Sequence, residues 1–207
     1  MDVQVDAINI KKVFNRRVIF ENISFSLSQR QTLAVTGRNG AGKSTLVKIV
    51  SNVLTPTGGR VTISCPTIIV ANPHLALLGL VSPYLTLYDE FSAQENLRFA
   101  LAIRGLQSDD QFINVLLKRV SLHTRGDDIV RTYSSGMKQR LKYAFALVHH
   151  PPILILDEPM ANLDSDGIRI VREIMIEHRE HGILMVASNN LSDIDRFDIL
   201  VDLDAVN

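Results

Sequence analysis

At 207 residues, with Lys plus Arg and Asp plus Glu balanced at 22 each, the chain is long enough for one α/β core with a modest subdomain, and it carries no charge excess that would advertise nucleic acid or an anionic membrane surface. Its one cysteine, Cys65, excludes an intrachain disulfide and fits a reducing compartment. Residues 1–6 have neither a basic nor an apolar leader-like stretch and no run of about 18 apolar residues exists, so neither a signal peptide nor a membrane span is expected, and membrane association must come through a partner.

Residues 3–28 alternate apolar and polar, most clearly in Val18-Ile19-Phe20 and Ile23-Ser24-Phe25-Ser26-Leu27-Ser28, with Asn15-Arg16-Arg17 as the turn between halves. That pattern predicts an antiparallel sheet edge. Phe14, at the end of the first half, is a candidate for stacking on a nucleobase, although a lone Phe on a strand is more often core.

Thr32-Leu33-Ala34-Val35-Thr36 is a short, β-leaning apolar run, and it leads into Gly37-Arg38-Asn39-Gly40-Ala41-Gly42-Lys43-Ser44, followed by Thr45. This fits G-x-x-x-x-G-K-[ST], a phosphate-binding loop. Successive backbone N–H groups must curl around an anion, which glycine permits without steric strain, while Lys43 brings a cation and Ser44 a hydroxyl for Mg²⁺. An ordinary glycine-rich turn beside a lysine is the bland alternative. The strand before the loop and the helix-compatible residues 44–54 after it favour nucleoside triphosphate binding instead.

Thr55-Pro56-Thr57-Gly58-Gly59 should stop a helix over 43–54, and residues 60–64 return to alternation. Residues 67–70 and 75–81 read as two further strand-like runs around Asn72-Pro73-His74, and His74, with no second ligand at a metal-like spacing, reads as loop surface. From Gln94 the periodicity becomes helical over 95–106 and 110–122, which predicts a helical insertion. Tyr133-Ser134-Ser135-Gly136 then precedes a helix over 137–149 with Ser135 or Gly136 at the N-cap and Met137, Leu141, Ala144, Phe145 and Val148 on one face. Such an N-terminus is an anion site in its own right.

Pro151-Pro152 breaks that helix, and Ile153-Leu154-Ile155-Leu156 predicts a buried parallel strand ending in Asp157-Glu158-Pro159. Adjacent carboxylates at that edge call for a cation, so Asp157 is assigned to Mg²⁺ and Glu158 to orienting and deprotonating an attacking water. The plainer alternative is two solvated carboxylates capping the next turn. An amphipathic helix over 167–181, a buried strand over 183–187, and segments 191–197 and 199–201 complete the chain.

In this order the motifs resemble the nucleotide-binding subunit of ATP-binding cassette (ABC) transporters over nearly the whole chain. The resemblance implies an α/β P-loop NTPase with a RecA-like, mostly parallel core sheet, an N-terminal antiparallel β subdomain and an inserted α-helical subdomain. It divides one domain, 1–207, into a core over about 1–82 and 150–207 and a helical part over about 88–149. Residues 37–45 resemble Walker A, so Gly37, Arg38, Asn39, Gly40, Ala41, Gly42, Lys43, Ser44 and Thr45 are implied to hold ATP, with Phe14 where the family stacks an aromatic on adenine. Tyr133-Ser134-Ser135-Gly136-Met137-Lys138-Gln139-Arg140 resembles the signature L-S-G-G-Q-x-Q-R, matched at Ser134 and Gly136, with Ser135 and Met137 departing from it. Residues 153–158 are similar to Walker B plus the catalytic glutamate, and Ala161-Asn162-Leu163-Asp164 to the D-loop.

The family's Q-loop glutamine position falls on Pro83, or on Tyr84 with one residue deleted, and Asn189 stands where the family has a switch histidine. The resemblance therefore implies Ser44 and Asp157 on Mg²⁺, and Lys43, Glu158 and Asn189 in a slow hydrolysis. ATP would be capped by Ser134, Ser135 and Gly136 of a second subunit, and Asp164, matching the D-loop aspartate, is implied among the nucleotide-binding residues. It further implies a head-to-tail homodimer or a heterodimer with a related chain, an integral membrane permease as partner, and a cytoplasmic position on the inner face of the membrane. A soluble ATPase for cofactor assembly and a scarcely hydrolysing regulatory dimer are the other expectations.

Overall fold

A computed structural model describes residues 3–65 and 73–205, so the strand-like run expected over 67–70 lies outside the described residues. Two long strands, β1 (Gln4–Phe14) and β2 (Arg17–Ser28), form the expected antiparallel hairpin, with Asn15 and Arg16 alone supplying the left-handed turn conformations and Arg17 already in β2. Strand β4 (Gly58–Ser64) pairs on the other side of β1 and completes a three-stranded sheet.

The second sheet has five strands in the order β5 (Leu78–Val81), β6 (Ile153–Asp157), β7 (Ile183–Ala187), β3 (Thr32–Thr36) and β8 (Ile199–Asp202), every neighbouring pair parallel. Its central strands are apolar runs because both faces are covered. On β6, Leu154 and Leu156 face a core shared with the helical insertion, whereas Ile153 and Ile155 face one shared with the antiparallel sheet. Strands β3 and β7 divide the same way, Ala34, Leu184 and Val186 against Leu33, Val35, Ile183 and Met185.

Helix α1 (Lys43–Val50) follows the glycine loop but stops four residues before the expected end. Asn52 adopts a left-handed conformation, and the N–H groups of Asn52 and Val53 donate to the carbonyls of Ile49 and Lys48, closing the helix ahead of Pro56. The run expected as a strand over 75–81 divides instead. Residues Pro73–Leu77 form a short helix, α2, containing a half-buried His74, and only Leu78–Val81 enter the sheet.

The insertion comprises α3 (Ala93–Ala102), α4 (Asp110–Arg119) and α5 (Ser135–Leu147), and α6 (Ser165–Arg179) packs on the same side of the sheet. Helix α5 starts earlier than expected, its N-cap being Ser134 rather than Ser135 or Gly136. Leu141 and Ala144 are buried as expected, Met137 and Phe145 lie at the rim, and the fully buried Tyr143 donates its hydroxyl hydrogen to the Pro159 carbonyl at 2.7 Å.

Candidate functional site

The strand exits lie side by side along one edge of the parallel sheet, four of them delivering polar residues there and β3 the glycine loop. Ser82 follows β5, Asp157 ends β6 with Glu158 behind it, Ser188 and Asn189 follow β7, Gly37 follows β3, and Asp204 lies just beyond β8. In open α/β sheets this carboxyl edge is where ligands bind.

The loop after β3 is shaped by glycines at positive φ, Gly37 at 142°, Gly40 at 85° and Gly42 at 111°. At Gly42 the demand is steric as well, since a Cβ would fall 2.7 Å from Ile19 Cγ2. Gly42 caps α1 without a side-chain hydrogen bond, so the first N–H groups of the helix remain available to an anion. Lys43 is 6% exposed; its Nζ donates to the Gly37 carbonyl at 2.8 Å and lies 3.6 Å from Glu158 Oε1.

Asp157 is fully buried and meets two hydroxyls: Ser44 Oγ donates to Oδ1 at 3.1 Å and Ser82 Oγ donates to Oδ2 at 3.3 Å. Burial pushes its carboxyl above the ordinary carboxylate range, opposed by those hydroxyls and by the charges of Lys43 and Lys48. A buried carboxylate beside a serine hydroxyl is a hard-oxygen donor set, so Ser44 and Asp157 fit Mg²⁺. Glu158 sits at φ 50°, a left-handed conformation costly for a glutamate, and its N–H donates to the Ala187 carbonyl at 2.8 Å. Asn189 Nδ2 donates to Asn39 Oδ1 at 3.5 Å, which brings residue 189 against the glycine loop.

Two residues of this edge were not anticipated from sequence. Ser82 meets Asp157, whereas Pro83 and Tyr84, on which the resemblance puts the Q-loop position, are exposed where the chain leaves β5. Asp204 accepts the Arg38 N–H at 2.8 Å and so anchors the start of the glycine loop. A serine before a proline and an aspartate after an edge strand carry no spacing signal that would single them out.

The remaining expected residues lie apart from this cluster. Ser134 and Ser135 are exposed at the start of α5, where Ser134 Oγ accepts the Met137 N–H at 3.2 Å, and a Cβ at Gly136 would come within 3.3 Å of the Asn162 carbonyl oxygen. Asp164 is the N-cap of α6, its Oδ1 accepting the Gly167 N–H at 2.8 Å. The Phe14 ring is 43% exposed and carries the Lys12 ammonium 4.7 Å from its centroid. Between described residues, no hydrogen bond or ion pair joins Phe14, Ser134, Ser135, Gly136 or Asp164 to the glycine loop.

The profile of the ABC transporter family matches residues 20–161. A lantibiotic transport ATP-binding protein, SrtF, of Streptococcus pyogenes is 32% identical over 188 residues, covering 90% of this chain and 80% of that protein. A bacitracin transport ATP-binding protein, BcrA, of Enterococcus faecalis is 30% identical over 200 residues, covering 95% of this chain and 64% of that protein. Among solved structures, a bacterial Atm1-family ABC exporter with ATP bound superposes with a TM-score of 0.83 at 23% identity, over 98% of this chain and 37% of that one.

Proposed function

The chain belongs to the ABC transporter ATP-binding proteins, and on that premise we propose that it hydrolyses ATP as one half of a head-to-tail dimer and drives a separately encoded membrane permease. One observation carries the reading. At a single sheet edge Ser44 meets Asp157 at 3.1 Å while Lys43 lies 3.6 Å from Glu158, so a phosphate cation, a hard-oxygen metal pole and a water-facing carboxylate stand together.

Residues 37–45 hold the phosphates through backbone N–H groups and the Lys43 ammonium. Ser44 and Asp157 would hold Mg²⁺, which when bound would neutralise phosphate charge. Glu158 orients the attacking water and takes its proton. Asn189 donates a hydrogen bond toward the same phosphates but, as an amide, neither accepts a proton nor carries charge, so turnover is slow. The exposed N-terminus of α5 offers the donors of Ser134, Ser135 and Gly136 to a nucleotide held by a second copy or a related chain, while Phe14 stacks on the base of the nucleotide held by residues 37–45 and Asp164 serves as the D-loop aspartate.

No described helix is long and apolar enough to cross a membrane; in the proposed assembly a separate permease supplies the spans and holds this subunit at the inner face. Glu158→Gln is expected to lower hydrolysis by about 10²-fold or more and to trap an ATP-bound dimer on gel filtration. Rapid turnover in that variant would remove Glu158 from the base role. A Lys43→Ala protein that binds ATP as well as the parent would overturn the phosphate assignment.

A further inference from the structure

Helix α5 carries a half-buried lysine that the proposed chemistry does not use. Lys142 Nζ donates to the Ser82 carbonyl at 3.2 Å, and burial holds its ammonium below the ordinary lysine value. A cation accepts such a place where a hydrogen bond compensates part of the lost hydration. The backbone that Lys142 grips belongs to the residue whose hydroxyl donates to Asp157 Oδ2 at 3.3 Å and accepts the Tyr84 N–H at 3.3 Å.

A second lysine holds the same short loop from the other side. Lys48, on α1, places its Nζ 3.6 Å from the centroid of the Tyr84 ring, although that ring is 63% exposed. The loop at 82–84 is therefore held by one ammonium from the insertion and one from the helix that follows the phosphate loop. Asp157 is bracketed in the same way, with Ser82 on one oxygen and Ser44, from α1, on the other. Lys142 lies about two turns beyond Ser135 on a continuous helix, so its position moves with the end of α5 that carries Ser134 and Gly136.

We infer that Lys142 is a positioning residue for the magnesium pole: by fixing Ser82 it sets the direction of the Asp157 carboxylate and ties that direction to the placement of α5. The inference rests on the reading that Ser44 and Asp157 take Mg²⁺. A purely structural lysine would lower affinity for nucleotide with and without metal alike, or leave both unchanged. A positioning lysine acts only on the part that the metal adds.

Calorimetric titration of the full chain with ATP, in EDTA and in Mg²⁺, separates these roles. Lys142→Met should leave metal-free affinity unchanged and reduce the gain from Mg²⁺ by about threefold to tenfold, the contribution of one hydrogen bond, while Lys142→Arg restores it. Ser82→Ala should reduce the gain similarly, and adding Lys142→Met to it should cost nothing further, since the hydroxyl that transmits the effect is gone. Equal losses in both media, no loss, or additive losses overturn the inference. Should Lys142→Met fail to fold, Lys142→Gln and Ser82→Ala give the same comparison. A parent protein whose ATP affinity ignores Mg²⁺ would overturn the reading beneath it as well, which keeps the two failures distinct.

Discussion

Asn189 holds the position where a charged or titratable side chain would alter the chemistry, and it is exposed at the end of a turn that is otherwise well fixed. Ser188 is buried, its hydroxyl donating to Asp193 Oδ2 at 2.7 Å and accepting the Asn190 N–H at 3.1 Å, so residue 189 can be changed without moving the backbone that carries it. Asn189→His is expected to raise turnover by about tenfold or more with little change in ATP affinity, measured by steady-state phosphate release, because imidazole adds a proton-accepting group. An unchanged rate would mean that another step limits. At this scale the sequence speaks where chemistry constrains the backbone. Gly37, Gly40 and Gly42 were legible as a tight loop because left-handed backbone at fixed offsets calls for glycine, and the burial of Asp157 because an unbroken apolar run leads directly into it. Ser82 and Asp204 were not, because a single hydroxyl or carboxylate acquires meaning only from what the fold sets beside it.

Helix ends were the least legible elements, because local backbone geometry and capping override the simpler glycine or proline signal. Asn52 ends α1 ahead of Pro56, Ser134 begins α5 ahead of Ser135, and α2 interrupts a run whose apolar residues read equally well as strand. The central strands were legible because burial on both faces leaves an unbroken apolar run. Asp164 shows how a cap and a functional assignment coincide on one side chain, since the residue matched to the D-loop also caps α6. Asp164→Ala should cost about 1 kcal/mol of stability in urea unfolding, and Asp164→Ser should restore it. If Asp164 acts only as a cap, hydrolysis recovers with stability in the serine variant. Recovery of stability without recovery of hydrolysis would assign the carboxylate a part in the dimer site.

The helical side of the parallel sheet carries an acid-sensitive design in two histidines, His149 just after α5 and His178 on α6. Burial pushes His149 and His178 down to about 4, and each ring places Nε2 3.2 Å from a backbone carbonyl oxygen, of Leu78 and Ile183 respectively. In the unfolded chain such rings titrate near 6.5. Between about 6.5 and about 4 the unfolded chain binds protons that the folded one refuses, so stability falls as the pH drops through that window and is level above it. Each histidine contributes a slope of up to about 1.4 kcal/mol per pH unit. Tm should therefore decline between pH 7 and pH 5 by scanning calorimetry, and His178→Gln should remove roughly half of that decline; an unaltered slope would assign the sensitivity to other groups. The backbone at Glu158 bears on the molecule's future as well as its present. A left-handed position favours Gly, Asn or Asp, so a laboratory selection for heat resistance alone would be drawn to replace this glutamate, enriching proteins that outlast their parent while discarding the carboxylate on which the proposed reaction depends.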